Sequence, residues 1–243
     1  MSSSTTMQIN GADVLLEAAP GVNLERSKDS KVFKDWVTNL DPKLQVSKVT
    51  FQSTDYFGPR VGFTKIETTT TFQGVKIPGI ALLRGGAVSI LVILHCEGED
   101  WVILVKQPRV PVGNSGLLEL PAGMLDDSGD FAGVAAKEMG EETGIKLRAA
   151  DLTDLTAKAQ PSSRGVYPSA GGCDEFLRFM FHERNVTRAE LNAMRGKATG
   201  ILEEGEVIVL ELVELKNLWR VCNDAKALSS LALYQNLRAA GEL

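Results

Sequence analysis

The spacing of apolar positions changes several times along the chain, and each change marks an element. Residues 29–40 place Val32, Phe33, Trp36, Val37 and Leu40 at intervals of three and four, which predicts a short amphipathic helix. Residues 46–51 and 61–72 are rich in β-branched and aromatic side chains, with four consecutive threonines at 68–71, and predict strands. Gly74 and Pro78-Gly79 punctuate the chain after these strands. Residues 87–94 are an unbroken apolar run of strand length, 97–100 a turn, and 101–106 the returning strand. A loop over 107–115 with two prolines and Gly113 precedes a short strand at 117–120. The small-residue loop Pro121-Ala122-Gly123 then opens into a helix ending at Thr143, with Asp130 or a neighbour as its cap and Gly144 as its stop. Further strands are predicted at 152–157, 176–182 and 207–213. A helix over 186–196 has Thr187 as cap with Glu190 three residues on, and a last helix over 225–240 follows Asp224.

Strands with a few interleaved helices predict an α/β sandwich around a mixed sheet over 85–243. Residues 29–84 read as a helix and an antiparallel β-module ahead of it. Residues 1–28, opening Met-Ser-Ser-Ser-Thr-Thr-Met, read as a flexible leader.

Composition narrows the function class. An apolar fraction of 44% over 243 residues is ample for a sizeable core. The net charge of −5 gives no footprint for nucleic acid or an anionic membrane, and no apolar run approaches the ~20 residues of a membrane span. Cys96, Cys173 and Cys222 are widely spaced without a paired-ligand pattern, which fits a reduced intracellular compartment. Asp13 and Glu17 precede the first basic residue, Arg26, which argues against an organellar presequence within these residues. With only His95 and His182, both flanking apolar strands and read as structural, zinc chemistry has little support.

The informative chemistry lies at 121–145. Glu138, Glu141 and Glu142 fall within one third of the circumference of their helix at ~100° per residue. Ala132, Ala135 and Met139 form an adjacent apolar stripe, while Gly133 and Gly140 leave a third side bare for a close backbone. Three like charges so close repel, and a hard divalent cation is the natural compensation.

Gly123 followed by Lys137-Glu138-Met139-Gly140-Glu141-Glu142-Thr143-Gly144-Ile145 resembles the Nudix box in register. Two positions depart: Gly129 stands where the family has its first Glu, with Asp130 beside it, and Lys137 replaces Arg, keeping charge but losing the planar fork. The resemblance implies a Nudix-type α/β/α sandwich. It implies two or three Mg²⁺ or Mn²⁺ ions on Glu138, Glu141, Glu142, Glu206 and the Ala122 carbonyl. It further implies Glu204 as the base, with Glu203 a competing candidate, and Glu138 and Glu142 within the catalytic set.

Gln107-Pro108-Arg109-Val110-Pro111, 118–123 and 168–175 are similar to signatures of ADP-ribose and ADP-sugar pyrophosphatases, with Ala170 where that group has Pro and with 160–164 lengthening the connection. The stretches 55–63, 75–84 and 172–175 look closest to plant plastid ADP-sugar pyrophosphatases. On that resemblance Arg109 clamps a diphosphate, and Glu119, Gly172 and Glu175 contribute to holding a nucleoside diphosphate sugar. Glu119 equally suits a buried structural role, and Trp36, Tyr56 and Phe57 suit either adenine stacking or packing. The implied reaction is hydrolysis of ADP-glucose or ADP-ribose to AMP and a sugar phosphate. NADH, coenzyme A or dinucleoside polyphosphate hydrolysis, or a non-catalytic ligand sensor, are the alternatives. The N-terminal β-module resembles one that builds a homodimer and part of the adenosine site. A dimer is therefore expected, and a light-scattering mass near the 26.2 kDa of one chain would contradict it.

Overall fold

The computed structural model describes residues 3–125, 130–201 and 205–243. The chain divides into two units, Met1–Gly86 with Ser169–Glu175, and Ala87–Pro168 with Phe176–Leu243.

The first unit starts earlier than the sequence pattern suggests. Residues 4–28, expected as a loose leader, form β1 (Ser4–Ile9), β2 (Ala12–Ala18) and α1 (Leu24–Lys28). Asn10 and Gly11, with φ of 51° and 79°, make the two-residue turn of the β1–β2 hairpin. Val14, Leu16 and Ala18 alternate inward, a short pattern that the exposed apolar Leu15 between them obscures in the sequence. The predicted helix is α2 (Lys31–Thr38), capped by the Ser30 hydroxyl, and it buries Val32 and Phe33. Strands β3 (Gln45–Phe57), β4 (Arg60–Phe72), β5 (Val75–Ile77) and β6 (Ile80–Leu83) complete this sheet, β5 and β6 both pairing with β4. The strands within 45–83 pair antiparallel throughout, as expected, and β2, from the segment read as leader, adds to them by running parallel to β3 after the crossover through α1 and α2. Its core gathers Val14, Leu16, Phe33, Val49, Phe51 and Ile66, with Phe33 edge-on to Phe51 at 4.8 Å.

The second unit is an α/β/α sandwich. The apolar run is β7 (Ala87–Cys96), buried almost throughout because both of its faces are covered. Ala87, Leu91 and Ile93 face one core, shared with α4 (Leu155–Ala159), α6 (Leu218–Val221) and α7 (Ala225–Ala239). Val88, Ile90, Val92 and Leu94 face the other, shared with α3 (Phe131–Thr143) and α5 (Arg188–Met194). The sheet order is β11 (Thr153–Asp154), β12 (Leu177–Asn185), β7, β8 (Glu99–Arg109), β14 (Ile208–Glu214), β13 (Ala198–Thr199), with β12 parallel to β7.

A strand predicted at 152–157 is instead β11 and the start of α4, because the Asp154 carboxylate caps that helix through the Ala157 N–H at 2.7 Å. Thr187 with Glu190, Asp224 and Gly144 sit at the helix ends the sequence assigns them. No helix among the described residues is long and apolar enough to cross a membrane.

A split in this sheet positions the site. Strand β7 pairs with β8 only over its second half, from Ile93↔Val102 to Cys96↔Glu99. Its first half pairs instead with β10 (Ala122–Met124), and the far end of β8 pairs with β9 (Asn114–Glu119). The chain passes from β9 to β10 through Leu120 and Pro121, whose carbonyl accepts from the Ile90 N–H at 2.9 Å. That wedge sets Ala122 and Gly123 beside α3.

Candidate active site

Helix α3 begins where Asp130 accepts from the Gly133 N–H at 2.9 Å and stops at Gly144, which has φ of 75°. Ala135 and Met139 of its expected apolar stripe are buried together with Val134, while Ala132 is only partly covered. Among the described residues a Cβ at Gly140 would meet nothing within 4 Å and one at Gly133 would meet the Asp130 side chain at 2.2 Å, so at neither glycine is a backbone the nearest neighbour. Glu142 turns inward, 5% exposed, and accepts from the Ala122 N–H at 3.0 Å, tying helix to loop. Gly123 lies so close to Glu138 that a Cβ there would stand 1.9 Å from its Oε1.

The electrostatics are those of a cluster short of positive charge. Burial first, then the Glu141 and Glu206 carboxylates, push the Glu138 carboxyl up to about 7, with Lys137 opposing. Burial also pushes Glu142 up to about 8, aided by Glu138 and Glu206 and opposed by the Ala122 N–H and Arg109. Glu206 lies at the foot of β14 and accepts from the Ile201 N–H at 3.2 Å. Glu141 is half-buried and faces Lys137 at 3.6 Å, an exposed pair of small energetic weight.

The structure thus brings Ala122, Glu138, Glu141, Glu142 and Glu206 to one place. Among the described residues no three His, Cys, Asp or Glu side chains are gathered tightly enough to grip one ion. The donor chemistry nonetheless fits a hard divalent cation: oxygen ligands, and carboxyls whose ionisation burial and mutual repulsion oppose. Glu203, Glu204 and Gly129 lie outside the described residues.

Arg109, at the end of β8, gives its Nε–H to Glu119 Oε2 at 2.7 Å. Glu119 is 5% exposed and also accepts from Gln107 at 3.2 Å and Lys226 at 3.3 Å. Sequence reasoning missed Lys226, which is 107 residues away along the chain and matches no motif. Gly172 and Glu175 belong to the first unit. There the Gly172 carbonyl accepts from the Leu82 N–H at 2.8 Å and Glu175 pairs with Arg84 at 3.3 Å. Asp174 between them accepts from the Arg84 and Gly85 N–H groups.

The lengthened connection at 160–164 is fastened by Arg178, which donates to the Ser163 carbonyl at 3.2 Å and pairs with Asp154. His95 sits between the Asp100 and Glu183 carboxylates, and His182 bonds the Asp151 carbonyl at 2.9 Å. Trp36 stacks on Phe33, Phe57 packs on Phe63, and Arg26 lies 4.0 Å over the Tyr56 ring.

The NUDIX domain family matches residues 83–231. Nudix hydrolase 14, chloroplastic, of Arabidopsis thaliana is 39% identical, covering 99% of this chain and 84% of that protein. ADP-ribose pyrophosphatase of Bacillus subtilis is 30% identical over 63% of this chain and 76% of its own length. ADP-sugar pyrophosphatase of Mus musculus is 33% identical over 52% of this chain and 56% of its own length. A crystal structure of an ADP compounds hydrolase aligns with a TM-score of 0.54 at 17% identity, covering 83% of this chain and 97% of that one, and shares the fold. With a split mixed sheet, a Gly123 loop packed on Glu138 and a family match over most of its length, the chain belongs to the Nudix hydrolases.

Proposed function

We propose that this enzyme hydrolyses the diphosphate of ADP-sugars such as ADP-ribose and ADP-glucose, releasing AMP and a sugar phosphate. The observation that carries the reading is the uncompensated carboxylate cluster on α3, with Arg109 close enough to act on Glu142 electrostatically. The relatives named for ADP-sugar and ADP-ribose substrates support it. Glu138, Glu141, Glu142, Glu206 and the Ala122 carbonyl would hold two or three Mg²⁺ or Mn²⁺ ions, which supply Lewis-acid polarisation and an acidified water. The Ala122 N–H to Glu142 bond fixes the loop against the helix, so that loop and carboxylates share one frame. Arg109 offers a planar fork matched to phosphate oxygens and steadies the charge that develops on them. Glu204 takes the proton of the attacking water.

The test is kcat/KM on ADP-ribose, ADP-glucose, NADH, coenzyme A and dinucleoside polyphosphates with Mg²⁺ present. Preference for the ADP-sugars is expected. Preference for another substrate overturns the reading, and absence of any turnover makes the protein a ligand sensor. In the same assay Glu204→Gln is expected to lower kcat by about 10² to 10⁴. Glu203→Gln should leave it near normal, and the reverse ranking would move the base to Glu203.

Removal of metal gives a second expected result. The Glu138 and Glu142 carboxyls are raised from 4.5 to about 7 and about 8, so the metal-free fold prefers them protonated. Their contribution to stability is present below the unfolded value and is lost as pH rises through about 7 and 8. Divalent ions bind the ionised form, so Mg²⁺ should raise Tm more at about pH 8.5 than at about pH 6. Equal Mg²⁺ shifts at both pH values would remove these carboxylates from the metal site.

A homodimer through the first unit is part of the same reading, supported by Val75 and Ile80, both more than half exposed on its short strands. A plastid location rests on the name of the Arabidopsis relative alone, and subcellular fractionation tests it.

A further inference from the structure

We propose that Lys226, on the last helix, is a positioning residue that keeps the Arg109 guanidinium aimed at a diphosphate; this rests on the diphosphate-hydrolase reading above. Four charged side chains from β8, β9 and the start of α7 form a closed group. Glu119 Oε2 accepts from Arg109 Nε at 2.7 Å and from Gln107 Nε2 at 3.2 Å. Its Oε1 accepts from Lys226 Nζ at 3.3 Å. Lys226 also donates to Asp224 Oδ1 at 2.9 Å, and Asp224 Oδ2 accepts from the Leu120 N–H at 3.3 Å. The Lys226 and Asp224 side chains are 16% and 7% exposed. Just ahead of Asp224, Cys222 Sγ donates to the Leu118 carbonyl at 3.2 Å. The junction between α6 and α7 therefore grips the chain at 118, 119 and 120, immediately before the Pro121-Ala122 loop.

The way the donors are shared gives Lys226 its role. A carboxylate readily takes two parallel N–H groups from one guanidinium. Here Arg109 gives Glu119 only its Nε–H among the described residues, and Lys226 stands on the second oxygen, where a fork-on guanidinium would place its Nη. The Arg109 side chain is 41% exposed, which leaves its Nη groups for an anionic ligand. Lysine suits the post, since its ammonium donates in three directions and reaches two carboxylates at once. Without Lys226 the buried Glu119 loses a charged donor, a costly state in a dry setting. The nearest replacement is the Nη of Arg109, so the guanidinium would turn fork-on toward Glu119 and away from the substrate.

The experiment is a double-mutant cycle of Lys226→Met and Arg109→Ala. It is read as Kd for α,β-methylene ADP-ribose, a probe that is not cleaved between its phosphates, and as kcat/KM on ADP-ribose. Lys226→Met, which keeps the length of the side chain, is expected to weaken the probe about tenfold or more, the scale of one charge-assisted hydrogen bond. Adding it to Arg109→Ala should cost nothing further, and Lys226→Arg should restore most of the binding. Additive effects, or a wild-type Kd in Lys226→Met, overturn the proposal. Should Lys226→Met not fold, as shown by its melting curve, Lys226→Gln takes its place in the same cycle. A wild-type protein that binds the probe but cleaves no ADP-sugar sinks the substrate reading while the cycle stays readable in Kd. One that neither binds nor cleaves overturns both.

Discussion

Glu142→Gln and Glu138→Gln are each expected to lower kcat by about a thousandfold or more, as losses of preorganised charge at a reacting centre do. The fold should survive in both. Glutamine keeps the shape of glutamate, and in Glu142→Gln the amide oxygen can still accept from the Ala122 N–H. What is lost is a charge that the structure holds at some cost, since burial pushes both carboxyls well above their usual range. That cost gives the experiment a second readout. Each variant should melt no lower than the wild type at about pH 8 without metal, because the unfavourable ionisation is gone. Unchanged turnover in either variant would show that its carboxylate serves only the fold.

Gly123→Ala is the second large expected effect, and it reaches the same carboxylate from the other side. The added Cβ would lie 1.9 Å from Glu138 Oε1, 2.0 Å from Cδ and 2.4 Å from Cγ. The loop cannot back away, because Gly123 is paired with Val88 in the sheet and its neighbour Ala122 is bonded to Glu142. Glu138 must swing out instead. A displacement of about 1 Å at a reacting centre can cost about a hundredfold in rate, and a loss of that order in kcat is expected with only a modest change in Tm. Gly140→Ala is the control: it adds a methyl in open space on the same helix and should leave kcat intact while stabilising by up to about 1 kcal/mol. Gly123→Ala at near-normal kcat would mean that Glu138 need not stand where the structure has it.

Much of the second unit is legible in the residues alone. The apolar run of β7, the helix spacing of α3 and the caps Asp130, Thr187 and Asp224 are local signals, and local physics fixes them. The identities and register of Glu138, Glu141 and Glu142 are equally plain, because one helical turn places them together wherever that helix sits. The first 28 residues were not legible, since their two strands gain stability only by pairing with each other and with β3. The segment Ser169–Glu175 shows the same dependence, with Asp174 capping N–H groups about 90 residues earlier in the chain.

The sequence by itself determined the chemistry available: a triad of carboxylates in family register, an arginine in the preceding loop, and a glycine at the loop tip. The tertiary structure decided how that chemistry is held. Burial against the sheet raised two carboxyls, a split between β7 and β8 brought Ala122 to Glu142, and the last helix delivered Lys226 to Glu119. The physical reason is range. Spacing along a helix is a property of neighbours in the chain, whereas desolvation and hydrogen bonds across a fold depend on residues that only packing brings together.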